Sequence, residues 1–187
     1  MQFNIHKNLE GLHAPFSASQ SSWLRYDDDK VIEVYKNKMA ARMGTELHEW
    51  ARKTIELGIK QPRSKKTLYS YVNDAIGFKM KPEVVLKYSN KFFGTADAIC
   101  FRNNILRIHD LKTGKTPVHI EQLLVYAALF CLEYKREINF DALEIELRIY
   151  QNDEIIHHEP TMEEILPIMD KIVRLNSLLE TLELEEV

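Results

Sequence analysis

The sequence predicts an α/β fold in which a mixed central sheet is flanked by helices. Apolar and polar residues alternate over residues 95–101, 105–112 and 143–149, as in strands with one buried face and one face in water. Apolar residues at helical spacing predict one long helix from about Lys30 to Gly58 and another that starts at Thr116 and Pro117. The resulting order of helix, strand, hairpin, helix and strand is typical of a sheet covered by helices.

The 187 residues contain no internal repeat and no low-complexity linker, which favours a single domain over residues 1–187. We expect residues 1–16 to form an N-terminal arm, residues 17–160 the core, and residues 161–187 a C-terminal helix with an acidic tail. Thr161 and Glu164 form the capping-box pattern that begins this last helix.

Composition favours a cytoplasmic protein. Hydrophobic residues make up 45% of the chain, no apolar run is long enough to span a membrane, and we expect no signal peptide. The formal net charge of −3 argues against a passive nucleic-acid coat protein, but an enzyme needs only a local basic groove to meet nucleic acid. Cys100 and Cys131 are too few for a disulfide framework or a four-thiolate iron–sulfur cluster.

Asn103 and Asn104 separate two of the predicted strands. Asparagine tolerates the positive φ of a primed two-residue hairpin turn. Such a turn gives a register in which Phe101 faces Leu106, Ile99 faces Ile108 and Asp97 faces Asp110. A bulge at Asn103 would shift this register by one residue.

The predicted pairing of Asp97 with Asp110 places two like charges about 4.5–5.5 Å apart, which destabilises a hairpin. Divalent cations such as Mg²⁺ bind carboxylate oxygens and would remove this repulsion. Lys112 follows Asp110 by two residues and therefore projects from the same face of the strand. Alternatively, one aspartate is solvated at a strand end and Lys112 simply pairs with it.

Two further residues are candidates for the same site. His48 follows Gly44 by one helical turn at the border of the predicted buried face, where it is either a core histidine or a metal ligand. Glu83 follows Pro82 at the start of a predicted strand, residues 83–88, and either joins the metal site or ends the strand in solvent.

Three segments are candidates for substrate contact. Ser17 and Ser19 precede a short predicted helix, where they either cap it or meet a phosphate backbone alongside Trp23. Residues 59–66 hold four basic side chains, which form either solvated surface or a phosphate-tracking loop. Gln122 and Tyr126 lie one turn apart on an otherwise apolar helix, so they need partners in the core or in a substrate.

Four short motifs occur in one order along the chain. They are a GxxxH helix, a GxxD strand, a D/E-x-K strand and a QxxxY helix, here Gly44–His48, Gly94–Asp97, Asp110-Leu111-Lys112 and Gln122–Tyr126. With these motifs the chain resembles the PD-(D/E)XK nuclease superfamily, in particular its RecB-like and phage-exonuclease branch, over roughly residues 17–150. The resemblance implies a restriction-endonuclease-like αβββαβ core.

The resemblance also implies a deoxyribonuclease that uses one or two Mg²⁺ or Mn²⁺ ions and no iron–sulfur cluster. Asp97, Asp110 and Lys112 would be its catalytic residues. The implied metal ligands are His48, Asp97, Asp110 and the Leu111 backbone carbonyl, with Glu83 as a further candidate from the neighbouring strand. The candidate substrate-binding residues are Gln122, Tyr126, Ser17, Ser19 and Thr113.

The implied activity is that of a phage- or recombination-type exonuclease. A structure-specific endonuclease on branched or flapped DNA is one alternative, and a DNA-binding module with a vestigial site is another. The expected partners are DNA and a phage recombination or single-strand annealing protein, with a homo-oligomer as a further candidate and no membrane.

Overall fold

The computed structural model describes residues 7, 11, 14–114 and 119–185. The chain divides into two compact units, Met1–Thr45 and Glu46–Val187. Most of the predicted arm, at residues 1–6, 8–10 and 12–13, lies outside the described residues. The predicted helix start at Thr116 and Pro117 lies outside them as well.

The first unit holds a short 3-10 helix, Ala18–Arg25, and the first part of helix α1, Asp28–Glu56. Asp27 caps α1, because its Oδ1 accepts a hydrogen bond of 2.8 Å from the Lys30 backbone N–H. Gly58 follows the helix with a φ of +67°, which glycine adopts without strain. The prediction of one long helix that stops at Gly58 is confirmed.

The second unit is built on a five-stranded sheet with the order β1-β2-β3-β4-β5. The strands are β1 Lys81–Lys87, β2 Phe93–Arg102, β3 Ile105–Leu111, β4 Glu144–Gln151 and β5 Glu154–His158. β3 and β4 pair in parallel, whereas the other neighbouring strands pair antiparallel. The parallel pair requires a crossover connection, and the helix Glu121–Glu133 (α3) lies within it.

Helices cover both faces of this sheet. The described part of the unit also contains α2 Thr67–Gly77, a 3-10 helix Phe140–Ala142, and α4 Met162–Glu185. α3 and α4 pack on the face that carries Leu106, Ile108 and Leu147. α2 and the end of α1 pack on the other face, around Leu111 and Tyr150. The predicted α/β class, with a mixed sheet flanked by helices, is therefore confirmed.

Helix α4 begins as the capping-box pattern predicted, since the Thr161 backbone N–H donates to Glu164 Oε1 at 3.1 Å. The leucine-rich stretch that follows has its apolar residues on one side of the helix. No described helix combines the length and the apolar content needed to cross a bilayer.

The predicted hairpin turn is present between β2 and β3. Asn103 has a φ of 52° and Asn104 a φ of 60°, the two positive values of a primed turn. The register follows, with Phe101 paired to Leu106 and Ile99 paired to Ile108 as predicted.

Helix α3 is described from Glu121, and its predicted start at Thr116 and Pro117 lies outside the described residues. One prediction about local structure was wrong, that of a wet face on β4. The second face of β4 is not in water, because Glu146 is only 13% exposed and pairs with Arg107 Nε at 2.8 Å. The guanidinium groups of Arg107 and Arg148 lie over the Phe78 ring, 4.6 and 5.3 Å from its centroid, and this aromatic cover shields the polar face.

Candidate functional site

Three carboxylates lie side by side on neighbouring strands of the second unit. Glu83 on β1 lies opposite Asp97 on β2, and the β2–β3 register continued by one residue places Asp97 opposite Asp110 on β3. The pairs that flank these positions are Pro82 with Ala98, Val84 with Ala96, and Ala98 with His109. The sheet therefore presents a row of like charges, which directly opposed strands normally avoid.

His48 on α1 joins this row from outside the sheet. Its Nδ1 lies 3.5 Å from Asp97 Oδ2. His48, Glu83 and Asp97 each offer one ligand atom, and these three atoms all lie within 4.8 Å of one another. The structure therefore places His48 and Glu83 beside Asp97 in one cluster of possible metal ligands, and their role as ligands stays a prediction.

Asp110 lies outside this three-residue cluster and contacts Lys112 instead. Lys112 Nζ is 3.0 Å from each carboxylate oxygen, and its hydrogen bond goes to Oδ1. Oδ2 is buried and has no hydrogen-bond partner among the described residues. Oδ2 is thus held by the charge of Lys112 and not by a hydrogen bond, and a bound cation would give it a direct ligand contact.

The donor set fits a divalent metal. Carboxylate oxygens are the ligands that Mg²⁺ and Mn²⁺ prefer, and an imidazole nitrogen is compatible with Mn²⁺. Glu83 and Asp97 supply such oxygens, and His48 supplies the nitrogen. Asp110 Oδ2, which lies 3.0 Å from Lys112 Nζ, is a further oxygen of this kind.

Lys112 is held by a second partner on α3. Its Nζ donates to Gln122 Oε1 at 2.9 Å, and Gln122 Nε2 in turn donates to the Tyr126 hydroxyl at 3.1 Å. Gln122 is exposed, contrary to the burial that its apolar helix suggested. The partners of Gln122 and Tyr126 are therefore each other and the site lysine.

The position of the Tyr126 ring explains why residue 94 is a glycine. A Cβ atom placed on Gly94 would lie 2.7 Å from Tyr126 Cε1, closer than any ordinary carbon contact. Only a residue without a side chain leaves room for this ring against β2. The GxxD strand and the QxxxY helix are thus in direct steric contact.

The backbone is irregular at the centre of the row. Ala96 and Ile99 both pack into the core beneath α3, whereas Ala98 packs into the core beneath α2, so the alternation of β2 changes phase at Asp97. Opposite it, Glu83 has a φ of 51°, a left-handed conformation that costs a non-glycine residue on the order of 1 kcal/mol. Strained backbone of this kind is concentrated at functional sites.

The site shifts the ionisation of its aspartates. Burial, then the charge of Asp110, raises the pKa of Asp97 to about 6, although the Leu111 backbone N–H and His48 favour its charged form. That N–H donates to Asp97 Oδ2 at 2.9 Å. Burial likewise raises the pKa of Asp110, and Lys112 opposes the change. Without a cation, the site therefore disfavours the negative charges that it carries.

The remaining predicted residues lie elsewhere or stay untested. The Leu111 N–H contacts Asp97, and the Leu111 carbonyl stays a predicted metal ligand. Thr113 is exposed in the loop after β3. Ser17 and Ser19 belong to the first unit, where their hydroxyl oxygens are 3.1 Å apart. They line a cavity of about 460 Å³ with Lys38 and Arg42. Ser17 makes no side-chain capping hydrogen bond.

The sequence did not predict a buried polar network on the face of the sheet that α2 covers. His109 is fully buried, and burial lowers its pKa to about 3. Its Nδ1 lies 3.2 Å from the Tyr150 hydroxyl, which donates to Asp74 Oδ2 at 2.7 Å, and Arg148 Nη1 contacts the same oxygen at 3.1 Å. Arg148 and Tyr150, polar side chains near the end of the predicted strand β4, could have indicated this network.

The fold and the site define an α/β protein with an acidic candidate metal centre at the edge of a β-hairpin. Residues 81–178, more than half of the chain, match the family model described as "Protein of unknown function (DUF2800)". The chain belongs to this family. No curated protein and no solved structure matches the chain.

Gly94→Ala should destabilise the protein by about 1–3 kcal/mol, because the new methyl group overlaps the Tyr126 ring. In a Tyr126→Ala background the same change should cost less, since the ring is gone. Urea denaturation of the four proteins of this cycle measures the difference. Gly77→Ala is the matched control, because a Cβ there meets nothing within 4 Å. An equal cost in both backgrounds would contradict the contact.

Asp97 should make the metal-free protein less stable as pH rises. Its pKa is about 6 in the native state against an ordinary value of 3.8, so between these values the native state binds more protons than the unfolded state. The unfolding free energy should therefore fall across this range, by on the order of 2 kcal/mol. Thermal unfolding in EDTA at several pH values measures the slope.

In the same experiment, Asp97→Asn should flatten the slope and Asp170→Asn, an exposed site on α4, should not. Added Mg²⁺ or Mn²⁺ should stabilise the wild type more at about pH 7.5 than at about pH 5, because protons compete for the same oxygens. A wild-type slope that persists in Asp97→Asn would assign the effect to another group.

Proposed function

We propose that this protein is a Mg²⁺- or Mn²⁺-dependent deoxyribonuclease that hydrolyses phosphodiester bonds. The observation that carries the proposal is the meeting of three carboxylates, His48 and Lys112 at one edge of the sheet. A binding surface for DNA would not gain from carboxylates placed beside phosphates, whereas a metal-dependent hydrolase requires them.

His48, Glu83 and Asp97 would hold the metal, and Asp110, whose Oδ2 pairs with Lys112 Nζ, would be a further ligand. A metal held there lowers the pKa of a bound water and offsets negative charge on the phosphoryl oxygens. Burial raises the pKa of Asp97 and of Asp110 and so opposes their ionisation. A bound cation would favour the ionised carboxylates, which supports the placement of a metal here.

Lys112 would act on the reacting phosphate. Its ammonium group is fixed between Asp110 and Gln122, with 29% of the side chain exposed, so it is both oriented and accessible. From that position it would donate to the attacking water or to a phosphoryl oxygen whose charge grows during the reaction. Preorganised donors of this kind require no rearrangement as the charge develops.

Gln122 and Tyr126 would position the substrate strand. Gln122 is exposed and, among the described residues, donates one of its amide hydrogens to Tyr126, so the second N–H could meet a phosphate or base. Thr113 is exposed just after β3. Ser17 and Ser19, in the first unit, line a cavity with two basic side chains, which suits a phosphate group.

The choice of DNA rests on the resemblance to the PD-(D/E)XK nucleases, whose four motifs the site residues supply. On the same ground we propose a restriction-endonuclease-like core, a phage- or recombination-type exonuclease acting in the cytoplasm, and a recombination or single-strand annealing protein as partner. A homo-oligomer belongs to the same proposal.

With Mg²⁺, the purified protein should degrade a linear DNA duplex or a single strand. Asp110→Asn and Lys112→Ala should each lower the rate by about 100-fold or more, because each removes charge from the reacting centre. Lys171→Ala, at an exposed lysine on α4, is the matched control and should keep the wild-type rate. Gel analysis of end-labelled DNA measures all four proteins.

Equal rates for Asp110→Asn and wild type would refute the assignment. Binding that is insensitive to EDTA, with no cleavage of any DNA, would favour the vestigial module. A closed circular duplex separates the remaining classes, because it has no end for a strict exonuclease and only an endonuclease would cut it.

Glu83→Gln tests whether Glu83, a candidate ligand on the neighbouring strand, holds the metal. The variant should need a higher Mn²⁺ concentration for half-maximal activity, because an amide oxygen binds a divalent cation more weakly than a carboxylate does. Glu144→Gln, an exposed glutamate at the start of β4, serves as its control. An unchanged Mn²⁺ requirement in Glu83→Gln would remove Glu83 from the metal site.

A further inference from the structure

An aromatic pair, of which Trp50 is exposed and Tyr69 partly buried, lies beside the basic loop of residues 59–66. Trp50 on α1 is 37% exposed, and its ring lies 6.2 Å from that of Tyr69 on α2, with an angle of 40° between the ring planes. Tryptophan is usually well buried, so an exposed ring supported by a second ring is unusual. We call Trp50, Tyr69 and residues 59–66 the aromatic–basic surface.

The loop in this surface is positively charged. It contributes Lys60, Arg63, Lys65 and Lys66 and no acidic residue. All four side chains are exposed, and none of them makes an ion pair with a residue that the structure describes. Lys66 Nζ also lies 5.5 Å from the centre of the Tyr69 ring. Positive charge and aromatic surface are therefore contiguous.

Charges on the adjacent part of α1 are already neutralised. Glu49 pairs with Arg52 at 2.9 Å and with Lys53 at 3.0 Å, and Arg52 also contacts Glu56 at 2.8 Å. The loop cations are thus the uncompensated charges of this region among the described residues, and they would attract a polyanion.

Hydrogen bonds anchor the loop at Gln61 and order its end at Lys66. Asn73 on α2 clamps Gln61 with two hydrogen bonds: its Oδ1 accepts from the Gln61 N–H at 2.8 Å and its Nδ2 donates to the Gln61 carbonyl at 3.0 Å. The Lys66 backbone N–H donates to Ser64 Oγ at 3.1 Å. A preformed surface loses little conformational entropy when it binds.

We infer that the aromatic–basic surface binds single-stranded DNA. Exposed rings stack on unpaired bases and neighbouring cations contact the phosphates, which is how proteins hold single strands without sequence preference. A duplex offers the phosphates but keeps its bases stacked inside, so it would use the cations and leave Trp50 unengaged. α1 carries both Trp50 and His48, so the surface shares a helix with the candidate metal centre.

This inference deepens the proposed nuclease function, on which its role in substrate selection rests: the substrate would be a single strand or a duplex with a single-stranded tail. Binding itself is independent of cleavage. It can therefore be measured in EDTA, where a metal-dependent nuclease is inactive.

The test is fluorescence anisotropy of the full chain with a labelled oligothymidine of about 15 nucleotides in EDTA. Trp50→Ala and Tyr69→Ala should each weaken binding about tenfold, the usual cost of a lost base–aromatic stack. Lys65→Ala/Lys66→Ala should weaken binding and lower the slope of log affinity against log salt by about 1.4, the loss of two phosphate contacts.

Matched controls are available elsewhere in the second unit. Phe101 is 38% exposed and lies 5.3 Å from the Phe130 ring, so Phe101→Ala removes an equally exposed, ring-supported aromatic. Lys135→Ala/Arg136→Ala removes two exposed cations at the end of α3. Both controls should bind the oligothymidine like wild type.

Failure of the inference and failure of the nuclease proposal give different results. No binding by wild type, unchanged binding in the Trp50 and Lys65/Lys66 variants, or equal dependence on Trp50 with a blunt duplex would each overturn the surface, even if the protein cleaves DNA. Trp50-dependent binding without cleavage in Mg²⁺ would keep the surface and refute the nuclease. Trp50-dependent binding with preferred cleavage of tailed DNA would support both.

Discussion

Repulsion among Glu83, Asp97 and Asp110 is the constraint on which the rest of this structure depends. Two carboxylates about 5 Å apart repel by about 3 kcal/mol at an effective dielectric constant of about 20. The chain places three of them in adjacent register positions of one sheet. Lys112 and the Leu111 N–H offset part of this repulsion, and His48 adds a further partner. The repulsion that remains uncompensated is what supports the proposal of a cation in this site.

Lys112 links the carboxylates of the sheet to helix α3. It contacts Asp110 on β3 and Gln122 on α3, Gln122 contacts Tyr126, and the Tyr126 ring lies against Gly94 on β2. Residues that are far apart in sequence thus form one continuous chain of contacts across a strand, a helix and a second strand. A change in any member alters the position of the ammonium group, so these motifs depend on one another physically and not only by their order.

Local rules explain what the sequence could predict. The hairpin register follows from two asparagines that adopt positive φ, and the end of α1 follows from Gly58. The role of Glu83 was only one of two alternatives, because it requires the β1–β2 register and a backbone conformation that glutamate rarely adopts. The covered face of β4 was mispredicted for a similar reason. Its charges match a wet strand face, and only the packing of Phe78 over Arg107 shows otherwise.

Charge balance links the site to its proposed ligands. When ionised, Glu83, Asp97 and Asp110 carry three negative charges and Lys112 carries one positive charge, so a single divalent cation would neutralise the group. A second cation would leave excess positive charge until a phosphodiester supplied its own negative charge. On the proposed function, the site is therefore suited to hold one metal at rest and a second together with the substrate. On the same proposal, the cations of residues 59–66 would attract the DNA strand, which a site neutralised by metal would no longer repel.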